Sequence, residues 1–509
     1  MEDYQAFEVT ADPWTVFAFL LYLLLMIVIG VYSARFSSSG IGEFFIGGRK
    51  MKSFVVALSA VVSGRSAWLV LGVTGMAYVQ GLSAVWAIVG YTTVELYMFI
   101  YGAKRLRRYT ERLDNVTVPD FFAARFRDST NMLRVASGIV IIIFMVIYVA
   151  AQFDAGGKAF ASSFGFSNQT GVLLTALIVV LYTLVGGFLA VSLTDVVQGI
   201  FMIIALFIMP IVAVYNYGGL TEILRDTATI DAFMVDPVAL GIGGLIGYLG
   251  IGLGSPGNPH ILARYMSIDD PKQLRVSAVV ATVWNVLMGW GAVMIGIAGR
   301  AYFPDVDLLP AGDTENLYPV LAQDHLHPVI FGFVLAAIIA AIMSTADSQL
   351  LVGASSCVRD IYQRMLLKGK DLTQRHLVFV SRLSIIILVF LALGVLAIAT
   401  EQVFWLVLYA WSGLGASFGP PLLLSLFWAR ATKWGVLAGL ISGTVVTIVW
   451  NETGFLSDMM YELIPAFIMS TLAVVVVSLL TEAPDGVREE LELMKPRYKR
   501  HIDRLRNSR

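Results

Sequence analysis

Apolar runs of about twenty residues, separated by short polar and basic segments, recur along the whole chain. A helix needs roughly 20 apolar residues to cross a bilayer's hydrocarbon core. On that spacing the pattern predicts thirteen membrane-spanning helices: residues 14–33, 54–79, 84–102, 135–163, 171–190, 195–215, 239–259, 276–299, 328–356, 378–400, 403–428, 434–451 and 462–480. The fold class is therefore all-α integral membrane, a single polytopic domain over residues 1–480 followed by a short basic tail, 481–509.

The polar segments sort by side. With the N-terminus outside, the outward segments carry only Arg225 and Arg300, whereas the inward ones carry 31 of the 35 Lys and Arg residues, counting Arg382 at a span edge. Lys and Arg favour the cytoplasmic flank of a span, and Lys104-Arg105-Leu106-Arg107-Arg108 is a strong inward marker. An odd number of spans then places the tail in the cytoplasm of a multi-pass plasma (inner) membrane protein. That tail is too short for a catalytic domain.

Composition narrows the classes further. Of 509 residues 58% are hydrophobic and 14% charged, as a polytopic membrane protein requires. The single cysteine, Cys357, allows neither an internal disulfide nor a cysteine metal site. The five histidines show no HExxH spacing, so the expectation is no enzyme, no cofactor and no nucleic-acid partner. The acidic start, Met1-Glu2-Asp3-Tyr4, lacks the basic n-region of a cleavable signal.

Two spans hold helix breakers in mid-membrane: Ser63-Gly64 in the second, and Gly250-Ile251-Gly252-Leu253-Gly254-Ser255-Pro256-Gly257-Asn258-Pro259 at the end of the seventh. They lie five spans apart and so run in opposite directions. Interrupted helices at matching places in two inverted halves point to a solute site at the midplane. The other reading is that the glycines let helices approach closely. Arg65 follows the first break. A charge at mid-membrane costs roughly 2.5–3.5 kcal/mol on insertion scales, so it faces a protein interior or a wet cavity.

Several motifs then name a family. Gly47-Gly48-Arg49, Thr117-Val118-Pro119-Asp120-Phe121-Phe122 and Gly186-Gly187-Phe188-Leu189-Ala190-Val191-Ser192-Leu193-Thr194-Asp195 resemble the sodium–solute symporters. So do Pro259-His260-Ile261-Leu262-Ala263-Arg264, Met343-Ser344-Thr345-Ala346-Asp347-Ser348-Gln349-Leu350-Leu351, Tyr409-Ala410-Trp411-Ser412-Gly413-Leu414-Gly415-Ala416 and Trp434-Gly435-Val436-Leu437-Ala438-Gly439. The chain is most similar to the sodium/proline branch. The resemblance implies a leucine-transporter-type core of two inverted five-helix repeats, spans 2–6 and 7–11, about residues 54–215 and 239–428.

It also implies sites. Ala341, Ser344 and Thr345, at i, i+3 and i+4 on one helix face, match a sodium site completed by carbonyls near Val62 and Arg65. Without the family match, such hydroxyls bond back to their own helix. Ser344, Asp347 and Ser348, with Asp195 at the start of the sixth span, resemble a second sodium site found in some members. Helix capping for Asp195 and a structural salt bridge for Asp347 are the alternatives. Trp68 and Tyr148 match solute-contacting aromatics, beside Ser63 and Gly64 at the break. Gln152 adds an amide one turn after Tyr148, while Ile251 and Ser255 stand where the branch has aromatics.

Arg65 departs from the branch, which has an uncharged residue there and an acid at Gly64. Three readings stay open: Arg65 replaces the sodium ion, it clamps a substrate carboxylate, or it pairs with Asp154 or Glu95. The expected function is secondary active transport of a small organic solute, proline or another carboxylate, by alternating access and coupled to sodium. The alternatives are a sodium-independent or proton-coupled exchanger and, from another class, a membrane sensor domain. The expected partners are the solute, sodium and the bilayer.

Overall fold

The computed structural model describes residues 12–37, 40–367, 370, 372–399, 402–482 and 486–495. Most of the predicted tail therefore lies outside the described residues. Among those described, structure is helical apart from one bridge between Met51 and Ile268.

Among the described residues, nine stretches are long and apolar enough to cross a membrane. One of them, Ser53–Arg112, holds two traverses, because the chain reverses at Gly81–Ala84. The interrupted seventh span, the helix Val403–Phe427 and the shorter Asn168–Leu184 add three more, giving the thirteen expected. Large apolar side chains such as Leu20, Leu24, Phe379 and Phe390 stay more than half exposed on the outer helices. Lipid-facing residues read this way because the bilayer is itself an apolar solvent.

Spans 2 and 7 are both interrupted, with differences from the expected positions. In the second, the helix Ser53–Ala67 breaks at Ser66 (φ 48°, ψ −169°), not at Ser63-Gly64. Side chains make this possible without glycine. The Trp68 N–H donates to Ser66 Oγ (3.1 Å) and the Ala67 N–H to Gln152 Oε1 (3.1 Å), so neither amide is left bare. Gly64 stays helical, where a Cβ would sit 3.0 Å from Ile261 Cδ1. In the seventh span, Gly241–Gly250 tightens into Ile251–Gly257, extends at Asn258 and restarts as Pro259–Ser267. Both glycine readings hold here: a Cβ on Gly257 would lie 2.6 Å from Gly415 Cα of span 11. Pro259 was expected to end this span. It instead occupies the first turn of a new half-helix, where its missing N–H costs nothing.

Spans 5 and 6 form one helix, Asn168–Tyr217, divided at Gly187 (φ 58°) rather than by a loop at 191–194. A side chain at Gly187 would meet the Phe44 carbonyl at 3.2 Å. Asp195 consequently lies about two turns inside the sixth span. It is fully buried, which removes the capping role considered for it. Span 9, Pro328–Ser355, packs against spans 2 and 4 and the joined helix of spans 5 and 6, and its hydroxyl face is buried among them. Spans 12 and 13, Lys433–Glu452 and Leu463–Leu480, pack on each other and on span 11 at the periphery.

Candidate functional site

The hydroxyl face of span 9 is fully buried. Ser344 Oγ and Thr345 Oγ1 both donate to the Ala341 carbonyl, at 3.1 and 3.2 Å. Three hard oxygens thus sit within hydrogen-bond reach on one helix face, opposite the broken second span. There the Ala67 and Trp68 amides are directed to side chains, which relieves their regular helical acceptors, the Ser63 and Gly64 carbonyls. Gly64 O accepts from Arg65 Nη1 (3.2 Å). Val62, the carbonyl expected to help, is buried one turn before the break.

The acids of the expected second ion site are held differently from one another. Asp195 Oδ2 accepts from Ser59 Oγ (2.6 Å) and from Arg264 Nη2 (3.3 Å). Asp347 Oδ2 accepts from the Tyr182 hydroxyl (2.5 Å), and its Oδ1 from Ser348 Oγ (3.0 Å). The salt bridge considered for Asp347 therefore belongs to Asp195, with Arg264 as the cation. In the sequence, Arg264 is only one residue of a motif, in the segment that follows the seventh span. The signal was present: an arginine flanked by Ile261, Leu262 and Ala263 immediately after a break.

Arg65 is 1% exposed, as is Glu95, and the two form an ion pair through Arg65 Nη2 and Glu95 Oε2. Arg65 Nε donates to Asn285 Oδ1 (2.8 Å), and Asn285 Nδ2 donates to the same Glu95 oxygen (2.7 Å). The guanidinium lies 3.7 Å from the centre of the Tyr91 ring, a cation–π contact. Its contacts thus run toward spans 3 and 8. Ser344 and Thr345 bond to their own helix, so Arg65 does not stand in for the ion through them. Asp154 is not its partner either: that carboxylate accepts from Asn168 (3.2 Å).

The expected solute residues are buried around the two breaks. Trp68 stacks on Phe404 (6.1 Å, 20°) and meets Tyr91 edge-on (5.8 Å). Tyr148 meets His260 edge-on at 6.0 Å. The Ile251 carbonyl accepts from Trp411 Nε1 (2.8 Å). Phe404 and Trp411, both from span 11, are aromatic neighbours of these residues that the sequence does not single out. The Tyr409–Ala416 motif contained Trp411, but its inward direction depends on span 11 meeting the glycines of span 7. Trp68 Nε1, Gln152 Nε2 and Ser255 Oγ are buried without a hydrogen-bond partner. A buried polar atom left unpaired costs about 1–3 kcal/mol, so these groups are suited to a polar solute.

Ion pairs hold both ends of the bundle. At the basic end, Asp120 takes Arg359 Nε (3.0 Å) and Arg134, and Asp360 accepts from Thr117 (2.9 Å). Burial pushes the Asp120 carboxyl up, but Arg359 and Arg134 hold it below its ordinary value. At the other end, Glu315 accepts from the Phe404 N–H (2.7 Å) and pairs with Lys158. It thereby fixes the start of the helix that carries Phe404 over Trp68.

Comparison with known proteins follows the same outline. The model of the sodium:solute symporter family matches residues 44–443. The high-affinity proline transporter PutP of Bacillus subtilis is 41% identical over 461 residues, 90% of this chain and 96% of its own. The osmoregulated proline transporter OpuE of the same organism is 38% identical over 91% of this chain and 94% of its own. A sodium/proline symporter of Staphylococcus aureus is 38% identical over 96% and 97%. Among solved structures, a Na+-coupled sialic acid symporter in a substrate-bound outward-open state aligns with a TM-score of 0.79 at 20% identity, covering 93% of this chain and 99% of that one. Mhp1, a nucleobase-cation-symport transporter in a closed conformation, aligns at 0.54 and 13%, covering 90% and 99%. Both likenesses are of fold.

Proposed function

This chain belongs to the sodium:solute symporter family, and on that premise we propose that it carries proline across the plasma membrane together with sodium. The similarity to three proline carriers along nearly the whole chain supports this most directly. Sodium lies between Ala341, Ser344 and Thr345 of span 9 and the carbonyls preceding the second-span break. The solute lies between the breaks, against Trp68, Tyr148, Gln152, Ile251 and Ser255, walled by Phe404 and Trp411. Alternating access then exposes this one site to each side in turn.

Arg65 does not oppose the sodium reading. A lone guanidinium about 5 Å from the ion would repel it by roughly 3 kcal/mol at an effective dielectric near 20. The Glu95 carboxylate at that guanidinium offsets the repulsion. The motive for a sodium-independent exchanger falls away with it.

Purified protein in proteoliposomes tests the proposal. An inward sodium gradient is expected to drive labelled proline uptake above the external concentration, and dissipating the gradient should stop it. Proline uptake indifferent to sodium overturns the coupling. Sodium-driven uptake of another amino acid, with none of proline, overturns the substrate.

The orientation, N-terminus outside and tail inside, rests on the sorting of basic residues. In a Cys357→Ala background, Asp231→Cys is expected to react with an impermeant thiol reagent on intact cells. Asp114→Cys should react only after permeabilisation. Both are exposed positions. The reverse labelling pattern rules this topology out.

A further inference from the structure

Asp195 of span 6, Asp347 of span 9 and Arg264 of the half-helix Pro259–Ser267 form one buried cluster, none more than 1% exposed. With all three ionised, two carboxylates face one guanidinium. The cluster then carries a net charge of −1, and the hydroxyls around it are neutral. Charge in a membrane interior is paired or neutralised, so one more positive charge, a proton or a bound monovalent cation, belongs here. Independent of that count, Asp195 Oδ1 and Gln198 Oε1 are buried with no protein partner. They lie at i and i+3, on one face of span 6.

The neighbouring oxygens, Asp195 Oδ2 and Ser348 Oγ, are engaged by Arg264. Its Nη2 donates to Asp195 Oδ2 and to Ser348 Oγ, its Nε to Ser59 Oγ (2.9 Å), and its Nη1 to the His260 carbonyl (2.9 Å). The guanidinium also lies 5.1 Å from the centre of the Phe188 ring. We propose that Arg264 is a tethered competitor of sodium at this cluster, and that sodium entering at Asp195 and Ser348 displaces it. This rests on the sodium-coupled reading above and goes beyond it, by assigning the exchange to Arg264.

A displacement of Arg264 reaches beyond the cluster. Arg264 is mounted on the half-helix that begins just after Ser255 and the seventh-span break. The same half-helix presents His260 to Tyr148, and its last residue, Ser267, accepts the Met51 N–H (3.1 Å) at the basic end. Moving the guanidinium off Asp195 therefore pulls on one short helix that touches both Tyr148 and the basic end. Ion occupancy is thereby read by an element that must move for access to alternate.

Half-saturating sodium for thermal stabilisation of the purified protein, measured without solute, tests the exchange. A fixed positive charge about 5 Å from the ion lowers its affinity roughly a hundredfold at an effective dielectric near 20. Arg264→Gln is expected to lower half-saturating sodium at least tenfold, and Arg264→Lys to stay near wild type. An unchanged value in Arg264→Gln overturns the proposal. Should Arg264→Gln not fold, Phe188→Leu decides: it removes only the ring beneath the guanidinium and leaves every oxygen in place. It is expected to lower half-saturating sodium by about two- to fivefold, and no change there also overturns the proposal. Wild-type protein with no sodium response at all would instead count against the sodium-coupled reading itself.

Discussion

Truncating Glu95 to alanine is expected to destabilise the protein by about 3–5 kcal/mol, the usual cost of leaving one member of a buried ion pair alone. Both partners are 1% exposed, and no other carboxylate is within salt-bridge distance of Arg65 among the described residues. Asn285 can still accept from Arg65 Nε, and the Tyr91 ring still faces the guanidinium. Neither carries a negative charge. Arg65→Met is expected to cost a similar amount for the mirror reason, because Glu95 Oε1 already lacks a partner and Oε2 would keep only Asn285. Arg65→Met with Glu95→Leu removes both charges and is expected to restore most of the loss, since buried pairs replaced by apolar side chains are often neutral or better. Thermal unfolding of the four proteins in detergent measures this. Equal melting temperatures for wild type and Glu95→Ala would show that the pair is hydrated rather than buried.

Arg65 also marks the limit of what the sequence could reveal. Its cost in mid-membrane was legible from hydropathy alone, and Glu95 was among the partners that cost pointed to. Choosing between Glu95 and Asp154 required the third dimension: Asp154 lies beside Asn168, while Glu95 faces Arg65 across the packing of spans 2, 3 and 8. The spans themselves were legible because lipid demands long apolar helices with internally bonded backbones. The break at Ser66 was not, since a serine there is tolerated only because its own hydroxyl and Gln152 take the freed amides. Such conformations cost of order 1–3 kcal/mol and are held by surroundings that local composition does not encode. Arg264 was missed for a simpler reason. Pro259 was read as the end of a helix, when the same residue serves equally well at the start of one.

Removing both hydroxyls from the span 9 face, Ser344→Ala with Thr345→Ala, is expected to raise half-saturating sodium for proline uptake by about two to four orders of magnitude. A hydrogen-bonding group facing a full charge contributes roughly 1.5–3 kcal/mol, about ten- to a hundredfold in affinity for each oxygen. The same change should hardly move the melting temperature in sodium-free buffer. Each hydroxyl donates only to Ala341 O of its own helix, and back-bonds of this kind do not stabilise a helix interior. That separation of ion affinity from stability distinguishes a ligand from a packing residue. Thr345→Ser, which keeps the oxygen and loses a methyl, should retain sodium affinity within a few-fold while Thr345→Ala loses it. If the double alanine variant binds sodium as wild type does, the ion that drives transport is held elsewhere. The Asp195 cluster, with two carboxylates facing one arginine, is then the place that has the charge to hold it.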